Sequence, residues 1–530
     1  MDQDQSRRTV SAIFGITCLW LFLVCAPATA AAPRVQADGE TLIGTAAPGA
    51  GVNAFLGIPF AQPPLGSLRW SAPVDYVGAG GTRQATAFAP ACMQTMRILD
   101  WYRDMAELFG SSRSVFADLP VSEDCLYLNV WTPANNRRAR LPVMVYIHGG
   151  SNNSGWPYEP NYHGHALAAE GAVVVSIAYR LGVFGFFSHP DLANSKAKAN
   201  FGLWDQLAAL RWVQRNIAAF GGDPKRVTVF GESAGAGDAA ALMLSPAAKG
   251  LLQRAILQSG SNFGFPVIHS LAEEQARGVE LARAISEASP PDLAALRAIP
   301  AAELLQRATT VFRDHYHAPV LDGDIVTAQL SEQLRRADVP LRQLIIGTNA
   351  NEFYSRAPED SNAQALNAAV ARAKVLNTPQ VRDLLAASPD IPTALDRLFT
   401  AEAMLCQAQI IGAELARSGR GVWMYRFSRV REGAAAATLK AYHGAELPYV
   451  FGTHDAWLPT AEADRRLSRD MMRAWVQFAR TGNPNSAAVP SWPAFTGAGG
   501  AQVLDLNEQV QPIEAPEQEL CRIFRQRLTP

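Results

Sequence analysis

The chain has 530 residues, of which 48% are hydrophobic and 18% are charged, and its formal net charge at pH 7 is -1. This composition is typical of a globular protein with a substantial core, and it excludes the clustered positive charge that a nucleic-acid-binding protein needs. Length alone suggests about three domains, but α/β folds often extend this far as one unit.

The first 30 residues have the features of an export signal. Arg7 and Arg8 precede an apolar segment over residues 12–25, and Ala28-Thr29-Ala30 is a small-residue cleavage site. The apolar segment is too short for a comfortable membrane span, so we expect no stable membrane anchor. We predict cleavage near Ala30 and export of residues 31–530 to the periplasm or the exterior.

Export changes how the cysteines are interpreted. Four cysteines remain in the mature chain, namely Cys92, Cys125, Cys406 and Cys521. An even number in an oxidising compartment favours disulfides, and four cysteines leave three connectivities open. No two of the four lie at the spacing of zinc ligands, so the cysteines do not predict a metal site.

Short apolar runs alternate with helical segments along the mature chain. Continuous apolar runs are typical of strands covered on both faces, and strands that alternate with helices indicate a mostly parallel sheet with helices on both sides. The predicted strands are Leu141–Ile147, 172–178, 227–230, 255–258, 344–346 and 422–427. A helix over 203–219 should end before the turn at 221–224, and the segments 271–304 and 364–418 read as helical insertions in one large domain.

A serine flanked by glycines lies between the third predicted strand and an alanine-rich, helix-competent segment. The run Gly231-Glu232-Ser233-Ala234-Gly235 has the form of a nucleophile elbow, a strained strand-to-helix turn with the serine at its apex. The first N–H groups of the following helix point at any oxygen bound beside that serine. The pattern predicts that Ser233 is a nucleophile.

A serine nucleophile needs a base, and the base needs an orienting acid; in hydrolases with this elbow both follow the serine in the chain. His443 lies in a glycine-containing loop after the last predicted strand, although a lone histidine can also be a surface or core residue. Glu352 comes just after the strand 344–346, at the edge where such sheets place their sites. Glu232 is a rival acid, but neighbours on a tight turn diverge, so we interpret it as a buried structural or pocket-lining carboxylate.

The oxyanion that forms during acyl transfer needs preorganised N–H donors. Ala234, directly after the serine, supplies one donor, and the glycine-rich run His148-Gly149-Gly150-Ser151 after the first predicted strand is in the right place to supply others. His315 and His317 form a His-x-His pair, but two ligands do not make a metal site. We expect neither a metal nor a cofactor.

These motifs together resemble the type-B carboxylesterases, the cholinesterase-like branch of the α/β-hydrolases. The resemblance covers nearly the whole mature chain and is carried by residues 55–61, 123–130, 179–182, 200–206, 220–224 and 231–235. It implies an α/β-hydrolase fold whose helical insertions surround the active-site entrance. It also implies Ser233 as nucleophile, Glu352 as acid and His443 as base, acting on small-molecule esters.

The resemblance assigns further residues. It implies a disulfide between Cys92 and Cys125 and a second between Cys406 and Cys521, which joins a late helix to the C-terminal helix. It also implies that Ser259 supports the triad from behind. These pairings and this role follow from the resemblance alone.

Two positions depart from the family pattern. Ser151 replaces the third glycine of the oxyanion loop; its N–H can still donate, so we predict Gly150, Ser151 and Ala234 as the donors. The Ser151 side chain narrows the pocket or shifts the loop, which weakens any expectation of activity on bulky tertiary-alcohol esters. Asp238 stands where many relatives carry a small neutral residue, and we interpret it as structural rather than as an alternative acid.

The sequence therefore predicts a secreted serine carboxylesterase that forms an acyl-enzyme. One alternative is a non-enzymatic, cholinesterase-like binding or adhesion protein, which the intact triad disfavours. Another is a lipase or a hydrolase of amides, carbamates or lactones, which triad chemistry does not distinguish. Candidate pocket residues, with ordinary packing as the alternative, are Asn152, Asn153, Trp156, Tyr158, Phe263 and Phe265. The oligomeric state is left open.

Overall fold

The computed structural model describes residues 32–526, apart from 49–50, 135–136, 262–267, 286–291, 314, 336–340, 358–359, 376 and 488, and apart from the side chains of 330 and 331. The predicted export signal, Phe263 and Phe265 lie outside the described residues. The helices and strands below all belong to one compact unit, residues 33–530.

The strands alternate with helices over most of the chain, as the apolar runs predict. They are β1 (Arg34–Ala37), β2 (Glu40–Ile43), β3 (Thr45–Ala46), β4 (Asn53–Pro59), β5 (Thr82–Gln84), β6 (Ala91–Cys92), β7 (Val121–Ser122), β8 (Tyr127–Thr132), β9 (Leu141–Ile147), β10 (Val173–Ile177), β11 (Gly222–Glu232), β12 (Arg254–Gln258), β13 (Gln343–Asn349), β14 (Gly421–Phe427), β15 (Gln502–Leu506) and β16 (Gln511–Glu514). All six predicted strands are present.

One large sheet organises the fold. Its eleven strands follow the order β16-β15-β14-β13-β12-β11-β9-β10-β8-β4-β3, and the strands from β15 through β10 are parallel to their neighbours. The strands at both ends, β16, β8, β4 and β3, pair antiparallel. The central strands are buried along most of their length, because helices cover both faces. The predicted mostly parallel sheet flanked by helices is confirmed.

The α-helices are α1 (Arg97–Leu108), α2 (His165–Ala169), α3 (Gly182–Gly185), α4 (Phe201–Asn216), α5 (Ala234–Leu244), α6 (Leu271–Ile285), α7 (Leu293–Ala298), α8 (Ala301–Val311), α9 (Leu330–Leu334), α10 (Ala363–Arg372), α11 (Thr378–Ala386), α12 (Ile391–Thr400), α13 (Cys406–Arg417), α14 (Ala436–Leu439), α15 (Leu447–Phe451), α16 (Glu462–Thr481) and α17 (Gln518–Arg525). Where the structure describes them, the insertions predicted within 271–304 and 364–418 consist of helices joined by short connections. Within the described ranges, no helix is both long and apolar enough to cross a membrane.

The predicted turn at 221–224 is partly wrong. The helix α4 ends at Asn216 and passes through the 3-10 turn Ile217–Phe220, but β11 already begins at Gly222. Gly222 pairs with Leu141, and pairing resumes at Val227 after a register shift. The irregularity contains Pro224, which has no N–H for the ladder, and this is why the segment reads as a turn in the sequence.

Two disulfides join segments that are distant in the chain. Cys92 is bonded to Cys125, and Cys406 in α13 is bonded to Cys521 in α17. These are the pairings that the family resemblance implies. All four cysteines are buried.

Candidate active site

Ser233 stands in the tight turn between β11 and α5. Its backbone has φ 56° and ψ -126°, a strained conformation for a residue other than glycine. The turn brings its flanking residues so close that a Cβ on Gly231 would lie 2.6 Å from the carbonyl of Gly235, and a Cβ on Gly235 would collide with the carbonyl oxygen of Ile147. Both glycines are therefore required by close approach, and the strain presents the serine hydroxyl to the cavity.

The sheet brings Ser233, His443 and Glu352 together at its carboxyl edge, because the parallel strands β11, β13 and β14 all end there. The Nε2 atom of His443 lies 2.8 Å from the Oγ of Ser233, and its Nδ1 lies 2.6 Å from Oε2 of Glu352. The other carboxylate oxygen of Glu352 accepts the N–H of Asn349 at 2.7 Å. This arrangement allows the hydroxyl to donate to Nε2 while the Nδ1–H donates to the carboxylate, which is the hydrogen-bond pattern of a serine–histidine–acid triad.

Glu232 also contacts the imidazole. Its Oε1 lies 3.1 Å from Nε2 of His443, and the side chain is buried in the cavity wall. Burial by itself lowers the pKa of His443, but the carboxylates of Glu232 and Glu352 outweigh it and raise that pKa above its ordinary value. Glu232 lines the pocket, as the sequence suggests. Burial raises its own pKa to about 8, although the charge on His443 acts to lower it, so it is the ionised form of Glu232 that stabilises a positive charge on the histidine.

Glu446 is a site residue that sequence reasoning missed. It is fully buried and accepts hydrogen bonds from Gln258 Nε2 at 3.0 Å and from Asn349 Nδ2 at 2.6 Å. The amide of Asn349 also donates to the carbonyl of Tyr442, directly before His443. The network therefore links the loops that carry the acid and the base. The sequence signal was present, since Glu446 lies in the same glycine-containing loop as His443.

The predicted oxyanion donors share the cavity with Ser233. Gly150, Ser151 and Ala234 all line its wall, and within the described part of the chain their N–H groups meet no protein acceptor. Ser151 and its neighbour Asn152 have φ values of 59° and 55°. Positive φ costs a non-glycine residue about 1 kcal/mol or more, so the surrounding structure must hold this loop in place.

Asp238 provides that support. Its Oδ1 accepts the Nδ2–H of Asn152 at 3.1 Å and its Oδ2 accepts the Nε2–H of Gln206 at 2.6 Å. Burial raises the pKa of Asp238 to about 7 against the effect of these two hydrogen bonds. Neither hydrogen bond of Asp238 is to His443, so the structure agrees with a structural role and not with an alternative acid.

We expect Asp238→Ala to lower kcat for a simple ester about tenfold or more. A single misplaced oxyanion donor can cost about a hundredfold, and this change frees the loop without removing a donor. The second change Ser151→Gly should restore part of the activity, because glycine adopts positive φ without strain. Steady-state kinetics with circular dichroism as a folding check measures both effects; an unaltered kcat in folded Asp238→Ala contradicts this role.

The cavity has a volume of about 580 Å³. Ser259 lies in its wall, but its buried hydroxyl has no hydrogen-bond partner among the described residues, so the structure does not join it to the triad. Four of the candidate pocket residues do not line the cavity, so ordinary packing is the better interpretation of them; they are Asn152, Asn153, Trp156 and Tyr158. Two wall residues that sequence reasoning missed are Arg97 and Arg356; each lies in a segment with no motif.

The two histidines of the His-x-His pair lie side by side outside the cavity wall. The rings of His315 and His317 are 4.9 Å apart, and His315 lies near Glu274. Burial lowers the pKa of His315 to about 3 and that of His317 to about 4, so both imidazoles are neutral near pH 7. Over the described ranges, no group of three or more His, Cys, Asp or Glu is placed to hold a metal ion.

Comparison with known proteins agrees with this geometry. A sequence model of the Carboxylesterase family matches residues 31–524. The chain is 34% identical to fumonisin B1 esterase of Sphingopyxis macrogoltabida, over 93% of this chain and 91% of that protein, and 36% identical to carboxylesterase 3 of Homo sapiens with the same coverage. Among solved structures, a thermophilic PNB esterase superposes with a TM-score of 0.79 at 32% identity, covering 93% of this chain and 99% of that one.

Proposed function

Because this chain belongs to the carboxylesterase family and is a carboxylic ester hydrolase, we propose that it cleaves esters through an acyl-enzyme on Ser233. The observation that carries the proposal is the chain of short contacts from Ser233 Oγ through His443 to Glu352. In this scheme Ser233 is the nucleophile, His443 the general base and acid, and Glu352 the group that orients the imidazole.

The reaction has two steps. The Oγ of Ser233 attacks the ester carbonyl while Nε2 of His443 takes its proton, and Glu352 stabilises the imidazolium that forms. The N–H groups of Gly150, Ser151 and Ala234 hold the oxyanion. The imidazolium then protonates the leaving alcohol. In the second step His443 activates a water molecule, which attacks the acyl group and releases the acid and the serine.

We propose that the protein works outside the cytoplasm as a single catalytic domain, residues 31–530, after removal of residues 1–30. The two disulfides support this location, because such bonds persist in oxidising compartments and are rare in the cytosol. The arginine pair, apolar segment and cleavage site within residues 7–30 support export by a cleaved signal peptide.

The pH dependence tests the role of His443. Only the neutral imidazole accepts the serine proton, and the nearby carboxylates raise the pKa of His443. We therefore expect kcat/KM for 4-nitrophenyl butyrate to fall on acidification, with a midpoint above the ordinary histidine value of about 6.5. The matched variant Glu232→Gln removes one of those carboxylates and should move the midpoint to lower pH. A profile that stays flat down to about pH 4 contradicts a histidine base.

A further inference from the structure

Two arginine side chains reach the cavity that contains Ser233, and the mechanism above uses neither. Arg97 is the first residue of α1, and its Nη2 donates to the carbonyl oxygen of Gly150 at 2.8 Å. Arg356 ends a 3-10 turn just after Glu352, and its guanidinium lies 5.4 Å from the centre of the Phe353 ring. Both arginines line the cavity wall. They reach the cavity from two different elements: Arg97 comes from the start of α1 and contacts the oxyanion loop, and Arg356 comes from the turn that follows the acid.

The position of Arg97 disfavours a positive charge in the free protein. Arg97 stands at a helix N-terminus, where the helix dipole favours anions and opposes cations. Arg97 is exposed at the mouth of the cavity, but desolvation of its guanidinium by the cavity wall and the charge of Arg356 lower its pKa, although Glu159 acts in the opposite direction. Arg356 also opposes protonation of His443. Local conflicts of this kind are expected where function requires them.

The carboxyl groups of the cavity are engaged elsewhere. Glu232 and Glu352 contact the two ring nitrogens of His443. Glu159 accepts the O–H of Tyr102 at 2.9 Å and the N–H of Trp156 at 3.1 Å, and burial raises its pKa to about 7. Considering only residues that the structure describes, neither arginine forms an ion pair with a carboxylate. The cavity therefore presents two guanidinium groups whose charge these residues leave unmatched.

We propose that this cavity selects esters that carry a free carboxylate, and that Arg97 and Arg356 bind this carboxylate; the inference rests on the esterase mechanism proposed above. A guanidinium binds a carboxylate through two parallel N–H···O bonds in one plane. Such a contact relieves the repulsion between the two arginines and fixes the ester carbonyl near Ser233. A cavity of about 580 Å³ has room for the monoester of a dicarboxylic acid.

Two substrate pairs test the proposal, one for each side of the ester. On the acyl side, mono-4-nitrophenyl adipate is compared with neutral 4-nitrophenyl heptanoate. On the alcohol side, 4-acetoxybenzoate is compared with 4-acetoxybenzamide. We expect wild-type kcat/KM to be about tenfold higher for the anionic member of at least one pair, the effect of one charge-assisted contact. Raising the salt concentration from about 0.02 M to about 0.5 M should reduce this preference, because the arginines are exposed enough to be screened.

The variants are Arg97→Gln, Arg356→Gln and the double change, with Arg417→Gln as the control. Arg417 is an exposed arginine on α13 that pairs with Glu414 and does not line the cavity. Arg356→Gln leaves the Arg97–Gly150 hydrogen bond in place, so it separates charge recognition from support of the oxyanion loop. We expect the ratio of anionic to neutral kcat/KM to fall severalfold in each single variant and about tenfold in the double variant, and to stay at the wild-type value in the control.

The outcomes are distinct. If wild type hydrolyses the neutral esters but shows no preference in either pair, or if the double variant keeps the wild-type ratio, the carboxylate proposal is wrong and the proposed function stands. If wild type hydrolyses none of the four esters, the proposed function is contradicted, and the carboxylate proposal, which rests on it, is contradicted with it. A ratio that falls in the arginine variants and not in Arg417→Gln supports carboxylate recognition.

Discussion

Ser233→Ala is expected to reduce ester hydrolysis at least ten-thousandfold, to about the rate that binding and the oxyanion donors give without a nucleophile. The Oγ of Ser233 is the hydroxyl that lies 2.8 Å from Nε2 of His443, and alanine leaves the fold of the elbow intact. Hydrolysis of 4-nitrophenyl butyrate measures the loss. Labelling by a fluorophosphonate, which requires an activated serine, should disappear in the same variant.

Ser261 provides the matched control for this experiment. It is another serine of the cavity wall, but its Oγ donates to Oε1 of Gln407 at 3.0 Å rather than to a histidine. Ser261→Ala should still be labelled at Ser233. Turnover or labelling that survives in folded Ser233→Ala would assign the chemistry to another group.

Glu352→Gln is expected to lower kcat about a thousandfold or more, with little change in KM. The amide matches the carboxylate in shape, but it cannot stabilise the imidazolium, and its NH₂ can hold the ring in the wrong tautomer, an exchange that costs a serine protease about ten-thousandfold. The Oε2 atom of Glu352 lies 2.6 Å from Nδ1 of His443, so the effect should fall on the chemical step. Steady-state kinetics separates kcat from KM.

Glu232→Gln distinguishes the two carboxylates that contact the imidazole. Glu232 approaches Nε2, the nitrogen that faces the serine, so it cannot orient the ring through Nδ1. Its variant should shift the pH profile and retain most of the activity. A loss in Glu232→Gln as large as that in Glu352→Gln would argue that the acid has been assigned to the wrong residue.

The sheet could be predicted because a strand that is covered on both faces needs a continuous run of apolar residues, and such a run is visible in the local sequence. The run Leu141–Ile147 is continuous and apolar, and its predicted and observed bounds coincide. The elbow could also be read locally, since its glycines and serine lie within five residues. Placing His443 and Glu352 with Ser233 needed only the chain order and the fact that parallel strands end at one edge.

What the sequence did not reveal depends on contacts between distant segments. Arg97 and Arg356 lie far apart in the chain, on a helix and a turn that carry no motif, and only the fold brings both to one cavity. Asp238 was recognised as unusual, but its bond to Asn152 could not be seen before the structure placed α5 beside the oxyanion loop. For Asn152 the sequence leaves pocket lining and ordinary packing both open, and the structure shows its side chain bonded to Asp238 rather than lining the cavity.

The disulfide between Cys406 and Cys521 spans 115 residues of sequence, and His443 lies inside that span. A single cut by a protease anywhere between the two cysteines therefore divides the polypeptide without releasing a fragment. The piece that carries the histidine stays covalently attached to the piece that carries Ser233. For an enzyme that we place outside the cytoplasm, a single proteolytic cut in this segment therefore does not separate the histidine from the rest of the protein.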